Sequence, residues 1–267
     1  VRPEYARQYR ELWERHWWWR SRERFVLGWI DQLHRRASLA RILDVGCGDG
    51  LFFETLERFG RVEGLEPDCS LLSDGRWRER ISVAPLDATF PRQSAYDLLL
   101  LLDVLEHIAD DRGALEAAWA TLRPGGYLLL TVPALPWLWS RHDEANAHHR
   151  RYLAGDLRGR LELAGFQVEQ LRYFFFWTVL PLLARRWLMP ARGGQSDYDV
   201  PIPSPAVNRT LTALSRCDHG WATWLRWPIG SSLLAIARRP EHPHGGAPIL
   251  NPNFRGEPLL SAANPGK

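Results

Sequence analysis

The spacing of apolar segments in this 267-residue chain predicts an α/β fold built on a doubly wound, mostly parallel sheet of seven strands. Three observations carry that expectation. Strand-like and helix-like stretches alternate from residue 41 to 133. The first strand, 42–45, breaks into a turn with Gly46, Gly48 and Gly50 and then opens a helix over 51–56. Five consecutive leucines at 98–102 suit a central parallel strand buried on both faces.

The glycine turn is the most informative of these. Glycine has no Cβ and tolerates positive φ, so a ligand can approach the main chain closely, and the helix start behind it offers unpaired N–H groups. A dinucleotide-binding turn reads G-x-G-x-x-G. Here the pattern is G-x-G-x-G, with Leu51 where the third dinucleotide glycine would stand, and no Gly-Lys-Ser/Thr follows. Asp44, two residues before the turn, would repel a pyrophosphate but suits a ligand bearing an ammonium group.

The second strand, 61–65, ends in Glu66, twenty residues after Gly46 and followed by Pro67. An acid at this point of a nucleoside-binding sheet accepts hydrogen bonds from ribose hydroxyls. A short third strand, 81–83, leads to Asp87 and Ala88. The leucine strand ends in Asp103-Val104-Leu105-Glu106-His107, and Leu122-Arg123-Pro124-Gly125-Gly126-Tyr127 turns a helix into a fifth strand ending at Pro133. In this order the segments resemble class I S-adenosylmethionine (SAM) dependent methyltransferases, of the bacterial type 11/12-like kind.

The resemblance implies a Rossmann-like methyltransferase sheet whose seventh strand, here 230–238, is inserted antiparallel. It implies SAM as cofactor, held by Asp44, Gly46, Cys47, Gly48, Gly50 and Glu66. Asp87 and Ala88 would meet the adenine and Asp103 the methionine end. Ubiquinone-type O-methyltransferases carry a string similar to Asp103–His107 in association with a divalent ion. Many relatives carry it without one, and no metal is expected here.

The chemistry is expected after the fifth strand, at the C-terminal edge of the sheet. Residues 140–152 hold three histidines, two carboxylates and three arginines. This resembles an H-D…H-x-R-R-Y signature of sugar-, lipid- and polyketide-type methyltransferases. Histidine titrates near neutrality and is the natural general base. His142 or His148 is the candidate, with Asp143 as its orienter and Arg151 and Tyr152 closing the pocket. The reading as a polar loop tied to the helix layer stays open beside it.

The domain expectation is N-terminal helices over 1–39, a methyltransferase domain over 40–239 and a disordered tail over 240–267. Glu14–Arg20 resembles the "H-W-W" helix of bacterial small-molecule methyltransferases, either a lid over the cofactor or a helix packed on the sheet. An aromatic-rich helical insertion, about 173–228, separates strands six and seven. In it, Pro181 is expected to break one helix and Gly220 to interrupt another. The uncharged stretch 173–184 fits a buried helix, the wall of an apolar pocket or a peripheral membrane contact.

A formal charge of +3 gives no polycationic footprint, so nucleic acid is not expected as a partner. Cys47, Cys69 and Cys217 form neither a disulfide framework nor a zinc pattern. No run approaches the ~20 apolar residues of a membrane span, and the expectation is a cytoplasmic protein, with peripheral contact to the inner membrane left open. The functional expectation is methyl transfer to a small-molecule or lipid- or sugar-linked hydroxyl. The alternatives are an NAD(P)-dependent oxidoreductase and a non-catalytic SAM-binding protein.

Overall fold

The computed structural model describes residues 10–90, 94–188, 201–224 and 227–241. Seven strands form one sheet: β1 Arg41–Val45, β2 Arg61–Leu65, β3 Ile81–Ser82, β4 Tyr96–Leu102, β5 Leu122–Pro133, β6 Gln167–Phe174 and β7 Ser232–Arg238. Their order is β3-β2-β1-β4-β5-β7-β6. β1 to β5 pair in parallel, and β7 lies antiparallel between β5 and β6. The seven-stranded expectation holds, including the reversed seventh strand.

The leucine run explains the layering. Side chains alternate across a strand. Leu99 and Leu101 accordingly join Leu43, Leu128 and Leu130 in the apolar layer on one face. Leu98 and Leu100 join Ile42, Val62 and Leu129 on the other. Leu98 to Leu101 are fully buried, each burial stabilising by about 1.5–3 kcal/mol, while Leu102 at the strand's end is half-buried. Helix α1, Trp17–Arg36, covers the second face with Phe25, Val26, Trp29, Ile30 and Leu33, a helical stripe. His16 caps it, its Nδ1 accepting from Trp18 N–H at 3.1 Å, and burial lowers this imidazole to about 4, so it stays a neutral acceptor. His34, Arg35 and Arg36 suit the helix's negative end.

The remaining helices are α2 Phe53–Leu56, α3 Asp111–Thr121, α4 Arg141–Ala145, α5 Ala154–Leu163, α6 Val179–Leu188 and α7 Pro205–Trp224. Three local expectations need correction. The helix after the glycine turn starts at Phe53 rather than Leu51, because Leu51 and Phe52 are still turning. Pro181 does not break α6; it sits in the first turn, where its missing N–H would have had no partner. Gly220 does not interrupt α7, which runs on to Trp224 from Pro205 at its first position. α6 is not simply buried either: Leu180 is 74% exposed. The expected disordered tail lies almost wholly outside the described residues. No helix among the described residues is long and apolar enough to cross a membrane.

Candidate active site

The parallel strands end together at Val45, Leu65, Leu102 and Pro133, and the chain turns to opposite sides of the sheet between β1 and β4. Ligands of open α/β sheets bind at such a switch point. The glycine turn lies on it. Gly46, Gly48 and Gly50 have φ of 69°, 54° and 80°. A Cβ on Gly46 would come within 2.6 Å of Val104 Cγ2, which fixes glycine there twice over. Gly46 N–H bonds Leu65 O at 2.7 Å, locking the turn to β2.

Glu66 ties this turn to the next loop. Its carboxylate accepts from Gly48 N–H and from Asp68 N–H, both at 3.0 Å, and burial raises its pKa despite those bonds. Asp44 is 5% exposed and makes no hydrogen bond or ion pair with a described residue. Burial pushes it up to about 7, with Arg22 acting against the rise and Glu66 adding to it. A desolvated carboxylate beside an open glycine turn fits the ammonium end of SAM. Cys47 Sγ packs where a Cβ on Gly64 would stand, and burial raises its thiol pKa. Asp87 lies at the loop after β3 with Ala88 exposed beside it, its Oδ1 accepting from Thr89 N–H and Oγ1 at 2.8 and 2.6 Å.

Asp103 ends β4 with φ of 56°, strained for a non-glycine residue. Thr131 Oγ1 donates to its Oδ1 at 3.0 Å, and Arg22 of α1 approaches its Oδ2 at 2.7 Å. Arg22 Nη2 also donates to Leu102 O at 2.8 Å. This arginine, missed in the sequence reading, lies among Asp44, Asp103 and Glu106 and acts against the burial-driven rise in pKa of Asp44 and Glu106. Its signal was present: it sits inside the apolar face Trp19, Phe25, Val26, Trp29, where an unpartnered cation would be costly.

The loop after β5 folds around one carboxylate. Asp143 is wholly buried and accepts from Ser140 N–H at 2.8 Å, His148 Nδ1 at 3.0 Å, and Arg151 Nε and Nη2 at 2.7 and 3.0 Å. Burial alone would raise its pKa, but the bonds from His148 and Arg151 outweigh it and hold Asp143 well below the ordinary carboxylate range. An ionised carboxylate only accepts, so the facing Nδ1 of His148 is the donor, and the ring's other nitrogen, Nε2, points away from Asp143.

The same geometry separates the other candidates. His142 is exposed and packs on Asn146, so Asp143 does not orient it. Arg151 spans Asp143 and Ala134 O, a brace from the loop to the end of β5. Tyr152 is 2% exposed, and its hydroxyl donates to Asp111 Oδ2 at 3.0 Å, inside the helix layer rather than at a pocket mouth.

His148 meets the end of β4. Its ring stands edge-on to His107 with centroids 4.6 Å apart, and ligand atoms of Glu106, His107 and His148 lie within 4.8 Å of one another. Burial raises Glu106 well above its usual value, with Asp103's charge adding to it; its Oε2 has no hydrogen-bond partner among the described residues. Desolvation, with His148 as a second cause, lowers His107 to about 4. One carboxylate oxygen and two imidazole nitrogens are a donor set that suits a divalent cation.

A methyltransferase domain family model matches residues 18–171. The chain is 26% identical over 135 residues to a ubiquinone biosynthesis O-methyltransferase of Burkholderia vietnamiensis, covering 44% of this chain and 58% of that one. It is 30% identical over 162 residues to a probable SAM-dependent methyltransferase of Mycolicibacterium smegmatis, covering 58% and 62%. The chain thus spans about three fifths of the length of these curated relatives. A structure of the Haloferax volcanii Trm112 methyltransferase activator in complex with a methyltransferase superposes with a TM-score of 0.55 at 17% identity, over 90% of this chain and 96% of that one. A SAM-dependent methyltransferase of Archaeoglobus fulgidus gives 0.50 at 15% identity, over 78% and 94%. These two likenesses show the fold. With the family model spanning more than half of the chain, the protein belongs to the class I SAM-dependent methyltransferases, whose cofactor is S-adenosyl-L-methionine.

Proposed function

We propose that this chain methylates a hydroxyl of a small apolar or aromatic acceptor, with His148 as general base. The observation that carries the reading is the Asp143–His148 pair beside the end of β4, in which Nδ1 is taken up by Asp143 and Nε2 is the nitrogen left to act as base. The cofactor supplies a methyl group already activated on a sulfonium. Asp44, Glu66 and the turn at Gly46–Gly50 would hold it, Asp87 and Ala88 would flank the adenine, and Asp103 with Arg22 would border its amino-acid end. His148 Nε2 takes the acceptor's proton as the oxygen attacks, and Asp143 stabilises the imidazolium that forms.

The acceptor class is argued from the aromatics at the same sheet edge. Trp18 stacks with Phe175 at 5.9 Å between centroids, and Trp17 lies 5.2 Å from Trp177. Both pairs join the start of α1 to the segment after β6, where an apolar ring would find large flat partners.

The test uses methyl-labelled SAM and a panel of phenols. His148→Gln should lower kcat by about 10²–10⁴-fold and leave SAM affinity unchanged. Full turnover in His148→Gln would defeat the proposal. A second reading rests on Glu106, His107 and His148 as ligands for a divalent cation that orients the acceptor oxygen. Activity lost to a chelator and restored by Mn²⁺ would favour it.

A further inference from the structure

α7 runs beside α1 in the same direction. Asn208 accepts from Trp17 N–H at 2.8 Å and donates to Arg15 O at 2.8 Å. Further along, His219 packs on Phe25 with ring centroids 4.4 Å apart. Past that contact the helices do not close. A cleft of about 240 Å³ opens, lined by Phe25, Trp29 and His219 and flanked by Arg24 and Arg216.

Two mid-helix glycines, Gly28 and Gly220, line the same cleft, and a Cβ on either would meet nothing within 4 Å. Glycine is unfavourable inside a helix, and neither close packing nor positive φ requires it here. A long side chain at either position would project into the cleft.

The polar groups around the cleft are chiefly donors. Arg24 and Arg216 repel each other, and neither makes an ion pair or hydrogen bond with a described residue; the neighbouring Glu23 carboxylate is bonded to Arg20. Trp29 Nε1 and His219 Nε2 are closed off from solvent with no hydrogen-bond partner among the described residues. Burial lowers His219 to about 3, so the ring adds no third charge.

A cation would meet two guanidiniums, and a purely apolar guest would leave them unneutralised. We propose that this cleft binds a small apolar acid, a carboxylate or phosphate monoester on an aromatic or short aliphatic body. The anion lies between Arg24 and Arg216, whose planar forks suit such oxygens. The apolar body rests against Phe25 and Trp29. Arg22, on the same helix, is turned instead to Asp103, so this site is distinct from the cofactor edge.

The test titrates the full chain with phenyl phosphate, following the indole N–H signal of Trp29 by NMR and the heat of binding by calorimetry. Trp29→Phe assigns the signal. A saturating shift with Kd below about 1 mM is expected, while benzyl alcohol, the neutral counterpart, leaves the signal in place. The double variant Arg24→Gln/Arg216→Gln should weaken binding by more than about tenfold. Gly28→Leu, which fills the cleft, should abolish binding with thermal unfolding and SAM affinity unchanged. A parallel arm uses vesicles containing phosphatidic acid, whose headgroup is a phosphate monoester, against phosphatidylcholine alone: a Trp29 shift with the phosphatidic acid vesicles only, lost in the double variant, supports the site and assigns the acid to a lipid headgroup. No movement of Trp29 with either phosphate source, an equal shift with benzyl alcohol, or unchanged binding in both variants would overturn the proposal.

Discussion

The two halves of the sheet edge use carboxylates in opposite ways. Around the glycine turn, Asp44 and Glu66 are buried with their charge poorly compensated, and both have raised pKa values. In the loop after β5, Asp143 is buried as deeply but is surrounded by donors, and its pKa is lowered. The first half is incomplete until a cationic, hydroxyl-bearing ligand arrives. The second is assembled in advance, holding one imidazole in one tautomer. Burial alone therefore says little about a carboxylate's role; its partners decide.

The sharpest break of that contrast is Asp143→Ala. It removes the acceptor of His148, Arg151 and Ser140 together and leaves the Arg151 charge, 9% exposed, without its partner. Truncating one member of a buried pair costs about 3–5 kcal/mol. Chemical denaturation should show that loss, and kcat should fall by about 10²–10⁴-fold as His148 loses its orientation. Unchanged stability would mean that the loop is not organised around this carboxylate. On the other half, Gly46→Ala should weaken SAM binding by about 100-fold, since alanine meets both positive φ and the 2.6 Å approach to Val104. Calorimetry on the folded variant checks it.

The raised pKa of Asp44 gives a smaller, graded effect. Its folded value of about 7 lies above the unfolded 3.8. Between those values the unfolded chain ionises first, so this group's contribution to stability is complete below about 4 and is lost as pH rises to 7. Binding of a cation requires the ionised form, so below pH 7 the SAM Kd should rise by up to about tenfold per pH unit. Isothermal titrations from pH 5.5 to 7.5 would test it, and Asp44→Asn should flatten the profile.

The same contrast explains what could be read from the sequence. Gly46, Asp44 and Glu66 stand at strand ends and a turn within 23 residues, where local spacing fixes their positions. The leucines of β4 announce a central strand because alternation puts them on both faces. The histidine loop gave only composition. Whether Asp143 serves His142 or His148 depends on how α4 and the following turn close, which spacing does not specify. Arg22 reaches the site across 81 residues of sequence to Asp103, and only packing of α1 on the sheet brings them together. Pro181 misled because a proline in a helix's first turn costs no hydrogen bond, and Gly220 because one glycine costs a long helix only about 1 kcal/mol.

Tyr152 offers the mildest test, because its place in the signature suggested a pocket residue while its geometry is that of an anchor. Its backbone bridges to Ala134, with Tyr152 N–H on Pro133 O and Leu135 N–H on Tyr152 O, both at 3.0 Å. Its hydroxyl reaches Asp111, which also pairs with Arg150 and Arg160. Tyr152→Phe keeps the ring and the backbone bridge and removes one hydrogen bond to a charged acceptor, a loss of about 1.5–3 kcal/mol at most. The two arginines still neutralise Asp111, which should hold the measured loss near the lower end. Thermal unfolding should therefore shift by a few degrees, while KM for the acceptor and SAM affinity stay as in the native chain. A change in acceptor KM without a change in stability would return Tyr152 to the pocket and move the boundary between the anchored loop and the acceptor site.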